Sequence, residues 1–131
     1  MLVRDIMTPK DKLILVSAMG TVRDAIKNMK EHSVRSVIVD KSSAGGAYGI
    51  LTFKNLLETI VAEDGDIDLL NIYDIATIPA ISISAQIEVK YAAKMMVSQS
   101  IKRLLVIDNN ELQGILTMTD IINDIMDDID K

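Results

Sequence analysis

Hydrophobic positions along the first half of the chain alternate between a helical and an extended period. Val22, Ala25, Ile26 and Met29 are spaced by three and four residues, which places them on one face of a helix that begins after Gly20-Thr21. Short apolar runs predict strands at residues 13–16, 36–39 and 47–51. A loop at 40–47 joins the last two strands as a hairpin, and a second helix begins at Thr52. The predicted order is therefore β-α-β-β-α.

The second half of the chain predicts the same order again. Val89, Ala92, Ala93 and Met96 form one helical face, and the apolar runs at 81–83, 104–107 and 112–116 predict strands. The last two strands form a hairpin around residues 109–110, and a final helix runs to about Asp130.

The two halves also share residue identities. Residues 48–52 (YGILT) return as 113–117 (QGILT), and residues 34–39 (VRSVIV) return as 101–106 (IKRLLV). We therefore divide the chain into a first repeat with its N-terminal segment (1–63), a linker (64–71) and a second repeat (72–131). One repeat is too small to bury its own sheet, so we expect an α+β fold with the two repeats packed face to face about a pseudo-twofold axis. Such packing would leave two related clefts between the repeats, where ligands bind preferentially.

Residues 114–120 (GILTMTD) are the most informative stretch for function, because a strand runs there directly into a helix. A helix N-terminus favours a phosphate, the hydroxyls of Thr117 and Thr119 could add hydrogen bonds, and Asp120 could accept both hydroxyls of a ribose. Lys102 and Arg103 begin the neighbouring strand, where Arg103 could bind a phosphate through two hydrogen bonds. The alternative is structural, because Thr and Asp commonly begin helices and cations are common at strand edges.

Composition narrows the classes of function. The net charge is −5, which argues against nucleic-acid binding, and aromatic residues make up only 3% of the 131 residues. There are no cysteines, which leaves the redox compartment undetermined. No apolar run approaches the roughly 18 residues of a membrane helix, so we expect no membrane span, and our working hypothesis is a cytoplasmic protein. The mean hydropathy of +0.26 suggests apolar surface that is buried in an oligomer, and the alternative explanation is a generous aliphatic core.

The repeated motifs resemble those of the tandem cystathionine-β-synthase-type (CBS) domain pair, or Bateman module. Residues 5–9 (DIMTP) resemble the segment that precedes the first strand, and residues 105–108 and 114–120 resemble the hairpin and the ligand motif of that family. The resemblance covers nearly the whole chain. It implies a module that binds adenosyl compounds between its two repeats and performs no chemistry itself.

The resemblance also assigns site residues. Asp120 matches the ribose-binding carboxylate, and Thr117 and Arg103 match phosphate-contacting positions. We expect the main cleft to be lined by Asp120, Thr117, Thr119, Arg103, Lys102, Thr8, Lys12, Leu13, Ile14, Val34 and Arg35. In the first repeat the carboxylate position holds Asn55, preceded by Lys54, so the second cleft should bind weakly or not at all. Its expected residues are Asn55, Thr52, Lys54, Thr77, Ile78, Pro79 and Ile101.

The sequence therefore predicts a regulatory module and not an enzyme, since it contains no nucleophile–base pair. The expected ligand is AMP, ADP, ATP, NAD(H) or S-adenosylmethionine, with no cofactor required, and its binding would change the conformation or oligomeric state. We expect a homodimer, and an effector protein or fused domain is a possible further partner. The alternative is a ligand-free dimerisation or partner-docking module. No metal is expected, because residues 64–68 begin like a calcium loop but Ile75 occupies the position of its bidentate Glu.

Overall fold

The helices and strands follow the predicted order, with short additional elements ahead of each repeat. The computed structural model describes residues 1–129, so the predicted helix end at Asp130 lies outside the described residues. The elements are α1 (Val3–Ile6), β1 (Thr8–Pro9), a 3-10 turn (Lys10–Lys12), β2 (Leu15–Val16), α2 (Val22–His32), β3 (Ser36–Val39), β4 (Gly49–Thr52), α3 (Phe53–Leu56) with a π-helical continuation (Leu57–Ala62), α4 (Ile72–Ile75), β5 (Ser82–Ile83), α5 (Val89–Gln99), β6 (Arg103–Asp108), β7 (Glu111–Thr117) and α6 (Met118–Ile129).

These elements form two units, each with its own sheet. The split unit contains Met1–Leu13 and the chain from Ile81 onward, and its strand order is β1-β7-β6-β5. The continuous unit is Ile14–Ala80, with strand order β2-β3-β4. In both sheets the hairpin is antiparallel, and a short strand is parallel to its neighbour, β2 to β3 and β5 to β6. The mixture of helices with two sheets confirms the predicted α+β class.

Each unit has a separate hydrophobic core on one face of its sheet. In the split unit the alternating residues Leu104, Val106 and Leu116 pack against Ala92 and Met96 of α5. In the continuous unit Val37, Val39 and Leu51 pack against Ala25 and Met29 of α2. The helical faces predicted from spacing therefore supply the core-facing side chains. The helices α2 and α5 both end at a serine in the left-handed conformation, Ser33 and Ser100.

The residues ahead of each repeat, here called the lead-in segments (1–13 and 71–80), pair with the sheet of the other repeat. Thr8 and Pro9 pair with Ile115 and Gly114 of β7. Thr77 exchanges two backbone hydrogen bonds with Ile50 of β4, at 3.0 and 2.9 Å. Each unit thus combines the body of one repeat with the lead-in segment of the other.

This pairing explains one glycine in each repeat. A Cβ on Gly114 would collide with the backbone carbonyl of Thr8, and a Cβ on Gly49 would lie 2.9 Å from the carbonyl oxygen of Thr77. Only a residue without a side chain lets the lead-in segment approach this closely. The repeated Gly-Ile-Leu-Thr is therefore partly a packing motif.

Candidate functional site

The predicted site residues of the split unit lie on the face of the sheet that is opposite to its core. Arg103 pairs directly with Thr117, and Thr8 pairs with Ile115. Opposed residues, and residues two apart on one strand, project from the same face of a sheet. Thr8, Thr117 and Arg103 therefore share one face, next to the point where β7 runs into α6.

Thr117 and Asp120 form a reciprocal cap at the start of α6. The Thr117 backbone N–H donates to Oδ2 of Asp120 at 2.9 Å, and the Asp120 backbone N–H donates to Oγ1 of Thr117 at 3.1 Å. Among the described residues, Oδ1 of Asp120 has no hydrogen-bond donor. The helix-starting role is thus fulfilled with one carboxylate oxygen, and the second oxygen and the Thr117 hydroxyl proton are left for a ligand.

Two cations flank this cap. The Lys102 carbonyl accepts a hydrogen bond from the Met118 backbone N–H at 2.9 Å, which holds the start of β6 against the start of α6. Lys102 is exposed and Arg103 is half-buried. Within residues 1–129 neither side chain makes an ion pair or a hydrogen bond. Their positive charge is therefore not neutralised by a neighbouring carboxylate, which suits an anionic ligand.

The lead-in segment supplies the remaining predicted residues of this unit. The 3-10 turn lies alongside β7 and is closed by a hydrogen bond from the Leu13 N–H to the Lys10 carbonyl at 3.0 Å. Lys12 is exposed on this turn, and Leu13 is half-buried. Thr119 is exposed in the first turn of α6.

The same position in the continuous unit has the opposite hydrogen-bonding polarity. The Thr52 backbone N–H donates to Oδ1 of Asn55 at 2.9 Å, and the Thr52 hydroxyl donates to the same oxygen at 3.1 Å. A backbone N–H needs an acceptor, so this contact fixes the orientation of the Asn55 amide. Its carbonyl oxygen is consumed by the cap, and the amide NH₂, which only donates, stands where Asp120 has its second oxygen.

A second difference was missed in the sequence. Ser36 pairs with Thr52 as Arg103 pairs with Thr117, so the continuous unit lacks the arginine. The 67-residue offset between the repeats already aligns Ser36 with Arg103, which is the signal that could have identified it. Lys54 lies 3.9 Å from Glu58, so its charge is partly offset. Thr77, Ile78 and Pro79 follow α4 in this unit and are exposed.

Some predicted site residues belong to the other unit. Ile14, Val34 and Arg35, expected in the main cleft, lie in the continuous unit, and Ile101, expected in the second cleft, lies in the split unit. The Arg35 carbonyl accepts from the Phe53 N–H at 3.2 Å, which matches the contact between Lys102 and Met118. Their membership of a shared cleft stays a prediction.

The linker is held to α2 by an ion pair. Arg23 Nη2 donates to Oδ2 of Asp68 at 2.9 Å, and Nε donates to the other oxygen. The hydrogen bonds from Arg23 lower the pKa of Asp68 below its ordinary value, and the same bonds raise the pKa of Arg23. Across residues 1–129 there is no helix with the length and apolar character to cross a membrane, nor a group of three acidic or histidine side chains suited to a metal.

Comparison with known proteins gives matches along most of the chain. The CBS domain family matches residues 3–62 and 72–127, which correspond to the two repeats. An uncharacterised protein of Methanopyrus kandleri is 32% identical over 84% of this chain, which spans 56% of that protein's length.

Solved structures share the fold. A hexameric CBS-CP12 protein from bloom-forming cyanobacteria is 29% identical with a TM-score of 0.84, over 93% of this chain and 69% of that chain. The structure of CBSX2 in complex with AMP has a TM-score of 0.82 over 96% of this chain and 97% of that chain, at 21% identity.

Proposed function

Because the chain belongs to the CBS-domain family, as its repeated motifs predicted, we propose that it is a regulatory module that binds an adenosyl ligand through the split unit. The observation that carries this proposal is the uncommitted Oδ1 of Asp120 beside the Thr117 hydroxyl and the unpaired Arg103. A carboxylate oxygen accepts hydrogen bonds from a ribose diol, and a guanidinium binds phosphate. The AMP complex of CBSX2, which has the same fold, supports this ligand class.

The two units differ at this position, and we expect only the split unit to bind the ligand strongly. The continuous unit presents an amide NH₂ and a serine where the split unit presents a carboxylate and an arginine. A ribose diol would lose its acceptor there, and a phosphate would lose its bidentate partner. We therefore expect strong binding by the Asp120 site and weak or no binding by the Asn55 site.

Titration calorimetry with AMP, ADP, ATP, NADH and S-adenosylmethionine tests the proposal, with GTP as the control for base selectivity. One adenosyl compound should bind with a stoichiometry near one per chain. The absence of a heat signal from all five, in protein verified to be nucleotide-free, would leave the ligand-free docking module as the better explanation.

Dimerisation has its own supporting observation, an exposed apolar stripe on the second helix of each repeat. Phe53, Leu57 and Val61 line the helix of the continuous unit. The stripe on α6 consists of Met118, Ile122, Ile125, Met126 and Ile129, with exposed fractions of 41–75%. Stripes of this size on a folded surface usually mark an interface, and we propose a second copy of this chain as the partner.

Sedimentation velocity tests the dimer. Ile125→Lys places a charge in the middle of the α6 stripe and should yield monomer, whereas Val97→Lys adds the same charge to an exposed position of α5 outside both stripes. Monomeric wild-type protein, or a dimer that survives Ile125→Lys unchanged, would contradict this interface. Adding the bound nucleotide to the same experiment measures whether ligand and assembly are coupled.

A further inference from the structure

The end of β3 that lies away from Ser36 borders a cavity of about 340 Å³ in the continuous unit. The cavity combines apolar and polar side chains, and it is lined by Leu15, Val16, Ser17, Ala18, Met19, Asp40, Lys41 and Ser42. A cavity of this volume falls at the lower end of the range for small-molecule sites. The corresponding place in the split unit offers an internal comparison.

In the split unit this place is filled by a carboxylate of the chain itself. Oδ1 of Asp108 accepts from the Ser84 hydroxyl at 2.6 Å, and Oδ2 accepts from the Ala85 backbone N–H at 3.0 Å. Asp108 lies two residues beyond Val106, the last residue of β6 that is paired with β5. One carboxylate therefore satisfies two donors that follow the first strand of the repeat.

The continuous unit keeps both donors and lacks the carboxylate. Ser17 and Ala18 follow β2 as Ser84 and Ala85 follow β5, and the Ser17 Oγ accepts from the Met19 N–H at 3.2 Å, as the Ser84 Oγ accepts from Gln86. Among the described residues, neither the Ser17 hydroxyl proton nor the Ala18 backbone N–H has an acceptor. Ala18 is 7% exposed, and a buried N–H without an acceptor is unusual and costly.

The residue that replaces Asp108 has the opposite charge. Lys41 lies two residues beyond Val39, the last residue of β3 paired with β2, and so occupies the position of Asp108. Its ammonium lies 3.4 Å from the Ala44 carbonyl oxygen and 5.5 Å from the centre of the Tyr48 ring. At this position the chain has thus exchanged a carboxylate for a cation, beside two donors that a carboxylate would satisfy.

We infer that this cavity is a binding site for a small aliphatic carboxylate. The ligand carboxylate takes the place of the Asp108 side chain and accepts from the Ser17 hydroxyl and the Ala18 N–H. Lys41 balances its charge, and the aliphatic part contacts Leu15 and Met19. This site lies within the continuous unit and requires no residue of the Asp120 site.

One group opposes the ligand. Asp40 lines the cavity as well, and its Oδ1 accepts from the Lys41 backbone N–H at 2.9 Å. Its charge repels an anion, so Asp40→Asn should strengthen binding. This expectation separates the proposed site from a general response to salt, because the loss of a surface charge outside a binding site would affect butyrate and chloride alike.

An amide-resolved NMR titration of the full chain with sodium butyrate tests the inference. The Ala18 amide proton should move downfield and saturate, while the Ala85 amide, already bound by Asp108, should stay in place. Butyramide, which has the same shape without the charge, and sodium chloride at matched ionic strength should leave Ala18 unmoved. Ser17→Ala removes one hydrogen bond to a charged group and should weaken butyrate binding by about tenfold or more.

Lys41→Asp recreates in the continuous unit the arrangement around Asp108. It should shift the Ala18 amide downfield without any ligand and abolish the response to butyrate. A wild-type Ala18 amide that does not respond to butyrate, or that responds equally to chloride, overturns the inference. An unchanged butyrate response in Ser17→Ala overturns it too, and this second variant serves if Lys41→Asp does not fold.

Discussion

Replacing Asp120 with asparagine separates the helix-capping role of this residue from its proposed ligand-binding role. The structure of the continuous unit provides the template, because Asn55 caps its helix with contacts from Thr52 of 2.9–3.4 Å. In Asp120→Asn the side-chain oxygen should keep the Thr117 N–H, and the amide NH₂ should replace the outward Oδ1. The variant thus changes one acceptor into a donor and leaves the cap in place.

The two effects of this substitution differ in size. Loss of the carboxylate charge from the first turn of α6 should cost about 0.3–1 kcal/mol of unfolding free energy, which lowers Tm by roughly 1–4 °C. Loss of a hydrogen bond to a charged acceptor should cost about 1.5–3 kcal/mol of binding free energy, which weakens nucleotide binding about 10- to 150-fold. Asp120→Ala, by contrast, should damage both the cap and the binding.

Calorimetric titration with the best-binding adenosyl compound, together with the Tm of the ligand-free protein, measures both effects on the same samples. Thr119→Ala is the control for the Tm measurement only, since Thr119 is exposed in the same turn and takes no part in the cap, whereas its hydroxyl is an expected ligand contact. Wild-type affinity in Asp120→Asn would refute the reasoning, since it would mean that the outward oxygen does not contact the ligand. A fall in Tm as large as that of Asp120→Ala would refute the capping argument instead.

Three further predictions concern other parts of the chain. Asn55→Asp should raise the number of bound nucleotides per chain, and an unchanged stoichiometry in calorimetry would argue against the proposed difference between the two sites. Gly114→Ala should lower unfolding free energy by about 1–3 kcal/mol in urea denaturation, whereas Gly45→Ala, with open space around it, should be nearly neutral. Asp68 has a lowered pKa in the folded state, so its contribution to stability is present above the pKa of the unfolded chain and is lost as pH falls through the pKa of the folded chain. The Tm of Asp68→Asn should therefore converge on that of wild type in acid. A difference in Tm that stays constant down to that pH would exclude the Arg23 ion pair as the cause of the difference.

Much of the fold could be predicted because hydrophobic spacing reports directly on burial. Ala25 and Met29 lie at helical spacing in the core, and the strand at Ser36–Val39 has the predicted bounds. The first strand of the first repeat is shorter than expected, Leu15–Val16 instead of 13–16, because Leu13 closes the 3-10 turn that precedes it. The π-helical winding of Leu57–Ala62 could not be predicted. The hydrophobic pattern of six residues is too short to distinguish an α-helix, with hydrogen bonds over four residues, from a π-helix, with hydrogen bonds over five.

The lead-in segments were harder to predict than the repeats they precede. The helices Val3–Ile6 and Ile72–Ile75 have only four residues, too few for a periodic pattern. In each, the Asp at the third helical position accepts from the backbone N–H of the residue that precedes the helix, at 2.8 and 2.9 Å. Their partners also lie far away in sequence. The proximity of Thr117, Asp120 and Arg103 could be predicted more readily, because Arg103 pairs with Thr117 in one hairpin and Asp120 caps the helix that follows Thr117.

The exchange of lead-in segments has a consequence during synthesis on the ribosome. Residues 1–13 leave the exit tunnel before the rest of the split unit, but β1 pairs with β7, whose residues are made about 100 positions later. At typical elongation rates, the N-terminal segment therefore waits for roughly 5–20 s with its apolar residues unpaired. The continuous unit has a shorter delay, because all of its strands and the lead-in segment 71–80 that pairs with β4 are complete by Ala80. Translation should thus produce the two units in a fixed order, and a nascent chain in which all residues up to Ala80 have left the exit tunnel should already hold one folded sheet.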